Sequence, residues 1–489
     1  MFKLLHYFLI TLTALSALSV MTTQAQEIIE IDIIETDIGD IPPRVQRVLD
    51  GHNLPASSVS FFVREVGAAD PLLAFNADQP MNPASAVKTI TTLAALETLG
   101  PAFTWKTELY ALGSVADGIL QGDLLLKGGG DPFLVEEQLR SMLKALQRTG
   151  IEYITGNLVL DGSYFDPSVE QEDDLDNQGG RSYNTNPNAV ISNFQSVAFY
   201  FYPDPNGRNV IIHTDPQLPN LKIENRLRQV NGSCRGYQRG ISFNINQNDS
   251  TEVIFEGQFP SGCLQYQMTR EVLDAPGYTF GLFNELWEEL GGDLAGRLML
   301  GEAPDNLEPI LIWSSSPLSD VIKSINKFSN NLMTRHLLLT LGAELLGSPA
   351  TVEKGIETVQ SYLELKGLAS NQLQLSNGAG LSRETRVSTS LLGDILQTAY
   401  TSAYMPEYIA SLPINGLDGT MRNRLRGDNM TGRMHVKTGT LDEVSAVAGY
   451  VYSRSNKTFV VSGIINHELA DRGPGVELMD ALLTWVYLQ

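Results

Sequence analysis

Pro83-Ala84-Ser85-Ala86-Val87-Lys88 opens a helical pattern and sets a lysine three residues after a serine. Apolar residues recur at Val87, Ile90, Leu93, Leu96 and Leu99, and Gly100-Pro101 stops the run. The spacing predicts a helix with Ser85 at its N-terminal end and Lys88 one turn on, on the same face. Two later strings extend the pattern. Ser329-Asn330-Asn331 falls between predicted helices at 318–329 and 332–341, and Lys437-Thr438-Gly439 lies on a predicted strand at 434–440. Each string alone is common: Ser-x-x-Lys is most often a solvated helix face, and Ser-x-Asn a helix cap. In this order they supply a nucleophile, a base, a proton relay and a carboxylate clamp.

The chemistry explains the residue types. A serine hydroxyl is a weak nucleophile until a base takes its proton. Lys88 can serve only while neutral, and both burial and a second cation such as Lys437 lower its pKa. General-base help contributes roughly 10² to 10⁴ in rate. The Ser329 hydroxyl can pass a proton between lysine and leaving amine, while the Asn331 amide can hold the lysine and a substrate backbone. Lys437 and Thr438 can bind a carboxylate through charge-assisted hydrogen bonds. Gly439 would let a substrate backbone lie against the strand edge. The N–H groups of Ser85 and Thr440 would then form an oxyanion hole, where losing one donor costs roughly 3 to 4 kcal/mol.

The 489 residues exceed what one simple core holds, so two or three domains are expected. A net charge of -22 argues against nucleic acid as partner, because phosphate binding needs clustered Lys and Arg. Lys3, the apolar run 4–20 and the small residues Thr23-Gln24-Ala25 read as a signal peptide over 1–25, with Gln26 starting the mature chain; a retained anchor is the alternative. No later segment is long and apolar enough to span a membrane. The signal therefore predicts export to the cell envelope, as a soluble or loosely membrane-associated protein. Cys234 and Cys263 are the only cysteines. Export would let them pair as a disulfide, with two free thiols as the alternative. They cannot build a zinc site alone and no HExxH string occurs, so no metal and no organic cofactor is expected.

Composition turns strand-like from Trp105 to about residue 165, with Asp117-Gly118 as a hairpin turn and a helix at 134–149; an acidic loop rich in Asn and Gly follows at 170–188, and pairs of strands continue to about residue 270. Helices and strands alternate thereafter, and 434–440, 446–453 and 458–466 read as three consecutive strands. Leu478, Leu482, Leu483 and Trp485 on the last helix suit a packed core, with a membrane surface as the alternative.

With these motifs the chain resembles the class C low-molecular-mass penicillin-binding proteins, the D-alanyl-D-alanine carboxypeptidase/endopeptidase family of serine peptidases (family S13). The resemblance runs from about residue 50 to the C-terminus. It includes Gly128-Gly129-Gly130-Asp131-Pro132, Gly378-Ala379-Gly380-Leu381-Ser382-Arg383, Asp418-Gly419-Thr420-Met421 and Val444-Ser445-Ala446-Val447-Ala448-Gly449-Tyr450. The family often has Asp-Gly-Ser-Gly-Leu where this chain has Asn377-Gly378-Ala379-Gly380-Leu381, which touches a cleft-side polar contact. The resemblance implies an α+β fold: a β-lactamase/transpeptidase-like catalytic domain over 26–108 and 304–489, with an antiparallel sheet flanked by helices and a helical region. A large β-rich insertion would occupy 109–303, nested as 109–170 with 253–303 around 171–252. It also implies roles: Ser85 acylated, Lys88 its base, Ser329 and Asn331 the second motif, Lys437, Thr438 and Gly439 the third. Peptidoglycan stem peptides and β-lactam antibiotics are the implied partners, the periplasm is the implied address, and a homodimer is one open option.

Other readings compete. A β-lactamase or esterase could use the same motifs, and a non-catalytic cell-wall scaffold could retain them. A Ser-His-Asp hydrolase could draw on His336, His435 or His467, but no G-x-S-x-G elbow is present. The Gly128–Gly130 triplet lacks a P-loop ending and reads as a structural turn.

Overall fold

The computed structural model describes residues 39–171, 184–205, 207, 209–235, 240–427 and 429–489. The expected signal segment, and most of a loop expected at 170–188, lie outside them. Helix α1 (Pro43–His52) leads to strands β1 (Val59–Glu65) and β2 (Leu73–Phe75), and then to α2 (Lys88–Leu99). The chain next leaves for the inserted region.

That region opens with a hairpin, β3 (Lys106–Ala116) and β4 (Ile119–Lys127). Asp117 and Gly118 are both left-handed, with φ of 48° and 81°, as a two-residue turn between twisted strands demands. Helix α3 (Glu136–Gln147), β5 (Tyr153–Ile154) and β6 (Leu158–Asp161) follow. A second β layer then runs through β7 (Ser196–Pro203), β8 (Val210–Asp215), β9 (Lys222–Val230), β10 (Ile241–Asn246), β11 (Asp249–Pro260) and β12 (Tyr266–Glu271). Its strands form two three-stranded sheets, β12-β7-β8 and β10-β11-β9. A disulfide joins Cys234 to Cys263 in this layer. The return leg is α4 (Ala275–Glu289), β13 (Asp293–Leu294), β14 (Leu298–Leu300) and β15 (Leu311–Ser314), whose strands complete a seven-stranded sheet with β3 to β6.

Two expected cuts move. The one at 252/253 falls inside β11, which pairs β10 and β9 along its length; its β9 partner is parallel, a pairing that short-range alternation cannot signal. The one at 303/304 strands β15 on the wrong side, since Leu311–Ser314 pairs β3. Four residues are too few to show a period.

The chain then returns through α5 (Leu318–Phe328), α6 (Asn331–Leu346) and α7 (Val352–Leu365). The short pair β16 (Leu373–Gln374) and β17 (Arg386–Val387) precedes α8 (Thr389–Thr401) and α9 (Met405–Ser411). Strands β18 (Met434–Leu441), β19 (Val444–Tyr452) and β20 (Thr458–Asn466) come next, and α10 (Pro474–Tyr487) closes the fold. The central sheet runs β18-β19-β20-β1-β2 and is antiparallel throughout. Helices cover both of its faces, so β19 and β20 are buried on both sides and rich in Val, Ile and aromatic residues. On one face Phe61, Val461 and Ile465 pack with Leu49 of α1 and Leu478, Leu482 and Leu483 of α10, so the last helix is core. On the other, Phe62, Val460 and Ile464 pack with α2, α5, α6 and α8. Edge strand β18 is thereby held beside the N-terminal ends of α2 and α6, where the three motifs meet. Among the described residues no helix is long and apolar enough to cross a membrane.

Candidate active site

Ser85 does not lie in the α-helix predicted for it. Ala84–Val87 is a 3-10 turn, and α2 begins at Lys88. Ala84 is left-handed at φ 45°, and its N–H is taken by Asn82 Oδ1 at 2.9 Å. Such backbone costs of order 1 to 3 kcal/mol and persists only when its surroundings hold it. Two glycines do so. A Cβ on Gly439 would sit 2.2 Å from Pro83 O, and one on Gly380 would sit 2.0 Å from Ala84 O. The turn is therefore pressed between β18 and the 378–380 loop. Gly439 is small to admit the Ser85 turn, where the sequence had suggested room for a substrate backbone.

Lys88 is fully buried, and its Nζ donates to Ser85 Oγ at 2.9 Å, to Asn331 Oδ1 at 2.7 Å and to the Ala379 carbonyl. Burial, and then the positive charge of Lys437, hold its pKa well below the usual lysine value. A neutral amine has two N–H groups and one lone pair. Asn331 Oδ1 and the Ala379 carbonyl can only accept, so they take the two hydrogens. In the neutral form, then, the lone pair rather than a hydrogen would face the Ser85 hydroxyl.

Ser329 closes α5 in left-handed geometry, φ 56° and ψ 39°, and Asn330 caps α6 by accepting from Met333 N at 2.9 Å. That break turns the Ser329 hydroxyl toward β18. The fully buried Lys437 donates to Ser329 Oγ at 2.9 Å and to Thr438 O at 2.7 Å, and burial lowers its pKa to about 7. The neighbouring Thr438 is buried, and its hydroxyl donates to that of Thr420 at 2.8 Å. Thr440 is exposed two residues along the same edge strand. All eight expected site residues thus lie on the α2 turn, the α5–α6 junction and β18.

The sequence missed the Ala379 carbonyl. Gly378 and Gly380, with φ of 69° and 75°, turn it toward Lys88, and Ala379 itself is buried. This position works through its backbone, so the alanine there changes no contact with the lysine. The histidines stand elsewhere. His336 is buried with Nδ1 3.0 Å from Gly130 O, His435 Nδ1 is 3.2 Å from Ile409 O, and His467 Nδ1 accepts from Leu469 N. Ser85 has a lysine, not an imidazole, at hydrogen-bond distance. Asp131 of the glycine string is buried and accepts from Phe133 N, a turn contact.

Residues 44–486 match the model of the D-Ala-D-Ala carboxypeptidase 3 (S13) family. The chain belongs to the S13 family. It is 26% identical over 426 residues to D-alanyl-D-alanine carboxypeptidase DacB of Haemophilus influenzae, covering 85% of this chain and 87% of that protein. It is 27% identical over 420 residues to the D-alanyl-D-alanine carboxypeptidase of Actinomadura sp. (strain R39), covering 83% and 77%. The fold superposes on the crystal structure of Haemophilus influenzae penicillin binding protein 4 (dacB) with a TM-score of 0.77 at 23% identity, covering 91% of this chain and 99% of that one. A second structure of that protein, complexed with a β-lactam, gives 0.74. The S13 match includes the inserted region as well as the segments that carry Ser85, Ser329 and Lys437.

Proposed function

We propose that this S13 chain is a serine D,D-carboxypeptidase that cleaves the terminal D-Ala–D-Ala bond of peptidoglycan stem peptides. The observation that carries the reading is the buried Lys88 amine, with two acceptor-only partners and its remaining valence on Ser85 Oγ. Lys88 takes the hydroxyl proton as Ser85 Oγ attacks the penultimate D-Ala carbonyl. The developing oxyanion is met by the N–H groups of Ser85 and Thr440, which a strand-edge substrate would reach. Lys437 and Thr438 hold the terminal carboxylate. The Ser329 hydroxyl hands a proton to the leaving D-alanine nitrogen, and Lys437 supports it. Water then hydrolyses the ester. A D,D-endopeptidase cut uses the same steps with a cross-linked amine as leaving group.

A β-lactam places a strained amide and a carboxylate in the same relationship, so it would acylate Ser85 and stay. The signal-like 1–25 segment supports export to the periplasm, where such substrates lie. The test is to incubate the purified protein with a stem pentapeptide and weigh the products. Loss of one D-alanine, abolished in Ser85→Ala along with fluorescent-penicillin labelling, supports the reading. Release of no D-alanine by the folded wild type sinks it. Rapid multiple turnover of nitrocefin instead would make it a β-lactamase.

A further inference from the structure

Lys327 lies two residues before Ser329 and is only 6% exposed, yet it makes no direct contact with the Ser85 and Lys88 pair. Its Nζ donates to Asp418 Oδ2 at 2.7 Å and to Leu412 O at 2.9 Å. Asp418 Oδ1 accepts from Ile414 N at 2.8 Å, which curls the 414–418 segment around the carboxylate. The next residue, Gly419, is left-handed at φ 55°, and a Cβ there would stand 2.6 Å from Lys327 O. The loop therefore lies directly on the end of α5. Thr420 then places its hydroxyl 2.8 Å from that of Thr438.

A buried cation is expensive unless its pairing has a use, and removing one partner of such a pair is costly. Here the pair closes a second link between motifs that come from different elements. Across the cleft, Lys437 reaches Ser329. Behind it, Lys327 reaches Thr438 through Asp418, Gly419 and Thr420. A hydroxyl on an edge strand has free rotamers; here Thr438 donates to Thr420, which fixes the side-chain rotamer and the place of its oxygen, and the proton turns to a carboxylate only when one arrives.

We infer that Lys327 and Asp418 are positioning residues that, through Thr420, hold the Thr438 side chain in the rotamer from which its hydroxyl can turn to the substrate's terminal carboxylate. This rests on the proposed carboxylate clamp and adds the element that orients it. The Asp418-Gly419-Thr420 string, which the three catalytic motifs leave without a task, is that element.

The experiment compares acylation rate constants for a penicillin and for its methyl ester, which lacks the anionic carboxylate. It uses the full-length wild type, Lys327→Met, Asp418→Asn and Thr420→Val. Lys327→Met should slow acylation by the acid about 10-fold, the loss expected for a misaimed hydrogen bond to a charged group, and leave the ester rate unchanged. Asp418→Asn and Thr420→Val should do the same, and they decide the matter if Lys327→Met does not fold. Equal slowing of acid and ester in the variants, or slowing of neither, overturns the inference. A wild type that reacts with neither compound, or with both alike, brings down the parent reading and this one with it.

Discussion

The Lys437 amine donates to the Ser329 hydroxyl across 2.9 Å, joining residues 108 positions apart in the chain. A serine oxygen that accepts from a lysine keeps its own hydrogen free to donate elsewhere. In the proposed mechanism Ser329 would give that proton to the leaving nitrogen while Lys437 restores it. Ser329→Ala should lower kcat for D-alanine release by roughly 10² while β-lactam labelling of Ser85 slows but persists. A variant with wild-type turnover would remove Ser329 from the proton path.

Two buried amines with opposite duties predict a bell-shaped pH profile. As the proposed base Lys88 must be neutral, and burial plus the charge on Lys437 bring its pKa well below the usual value, so activity should rise with pH through that titration. As the proposed carboxylate clamp Lys437 must be charged, and burial lowers its pKa to about 7. The profile of kcat/KM should therefore turn down as pH rises through about 7. A kcat/KM that climbs steadily to pH 10 would contradict the assignment of charge to Lys437.

The same depressed pKa sets a stability trend. In the unfolded chain Lys437 titrates near the usual 10.5; in the fold it titrates near 7. Between these values the unfolded state binds the extra proton, so native stability rises with pH. Below 7 both states are protonated and the burial penalty is constant. Relative to Lys437→Met, the wild type should gain on the order of a few kcal/mol between pH 7 and pH 10. Melting curves of the two proteins across that range check the sign; parallel curves would refute it.

Gly380 separates packing from side-chain chemistry. It is left-handed, and any Cβ would collide with Ala84 O beside the nucleophile. Gly380→Ala should cost roughly 1 to 3 kcal/mol of stability from the strained backbone alone. It should also pull the Ala379 carbonyl off Lys88 and cut acylation more than the melting shift explains. Unchanged acylation in the folded variant would show that this carbonyl does not set the lysine's geometry.

The sequence carried much of this because the chemistry demands specific side chains in fixed local strings. Ser85 and Lys88 are three residues apart, and the Val/Ile-rich strands β18 to β20 announce themselves by composition. The last helix was legible from the spacing of Leu478, Leu482 and Leu483. What stayed hidden depends on backbone and on distant pairing. The Ala379 carbonyl has no side-chain signature. The 3-10 form of the Ser85 turn is imposed by Gly380 and Gly439, which arrive about 300 or more residues later. The parallel β9–β11 pairing and the return of β15 to β3 join segments whose own patterns do not name a partner.

The antiparallel pairing of Val59–Glu65 with Thr458–Asn466 has a consequence in time. The ribosome delivers the first of these segments about 400 residues before the second. Until the final stretch arrives, β1 has no neighbour on that side, and β18, though already made, is not yet joined to β1 through β19 and β20. The Ser85 turn is thus made early, and the frame that sets β18 beside it comes last. A product that stops before Thr458 would carry β18 without the strand that ties it to β1.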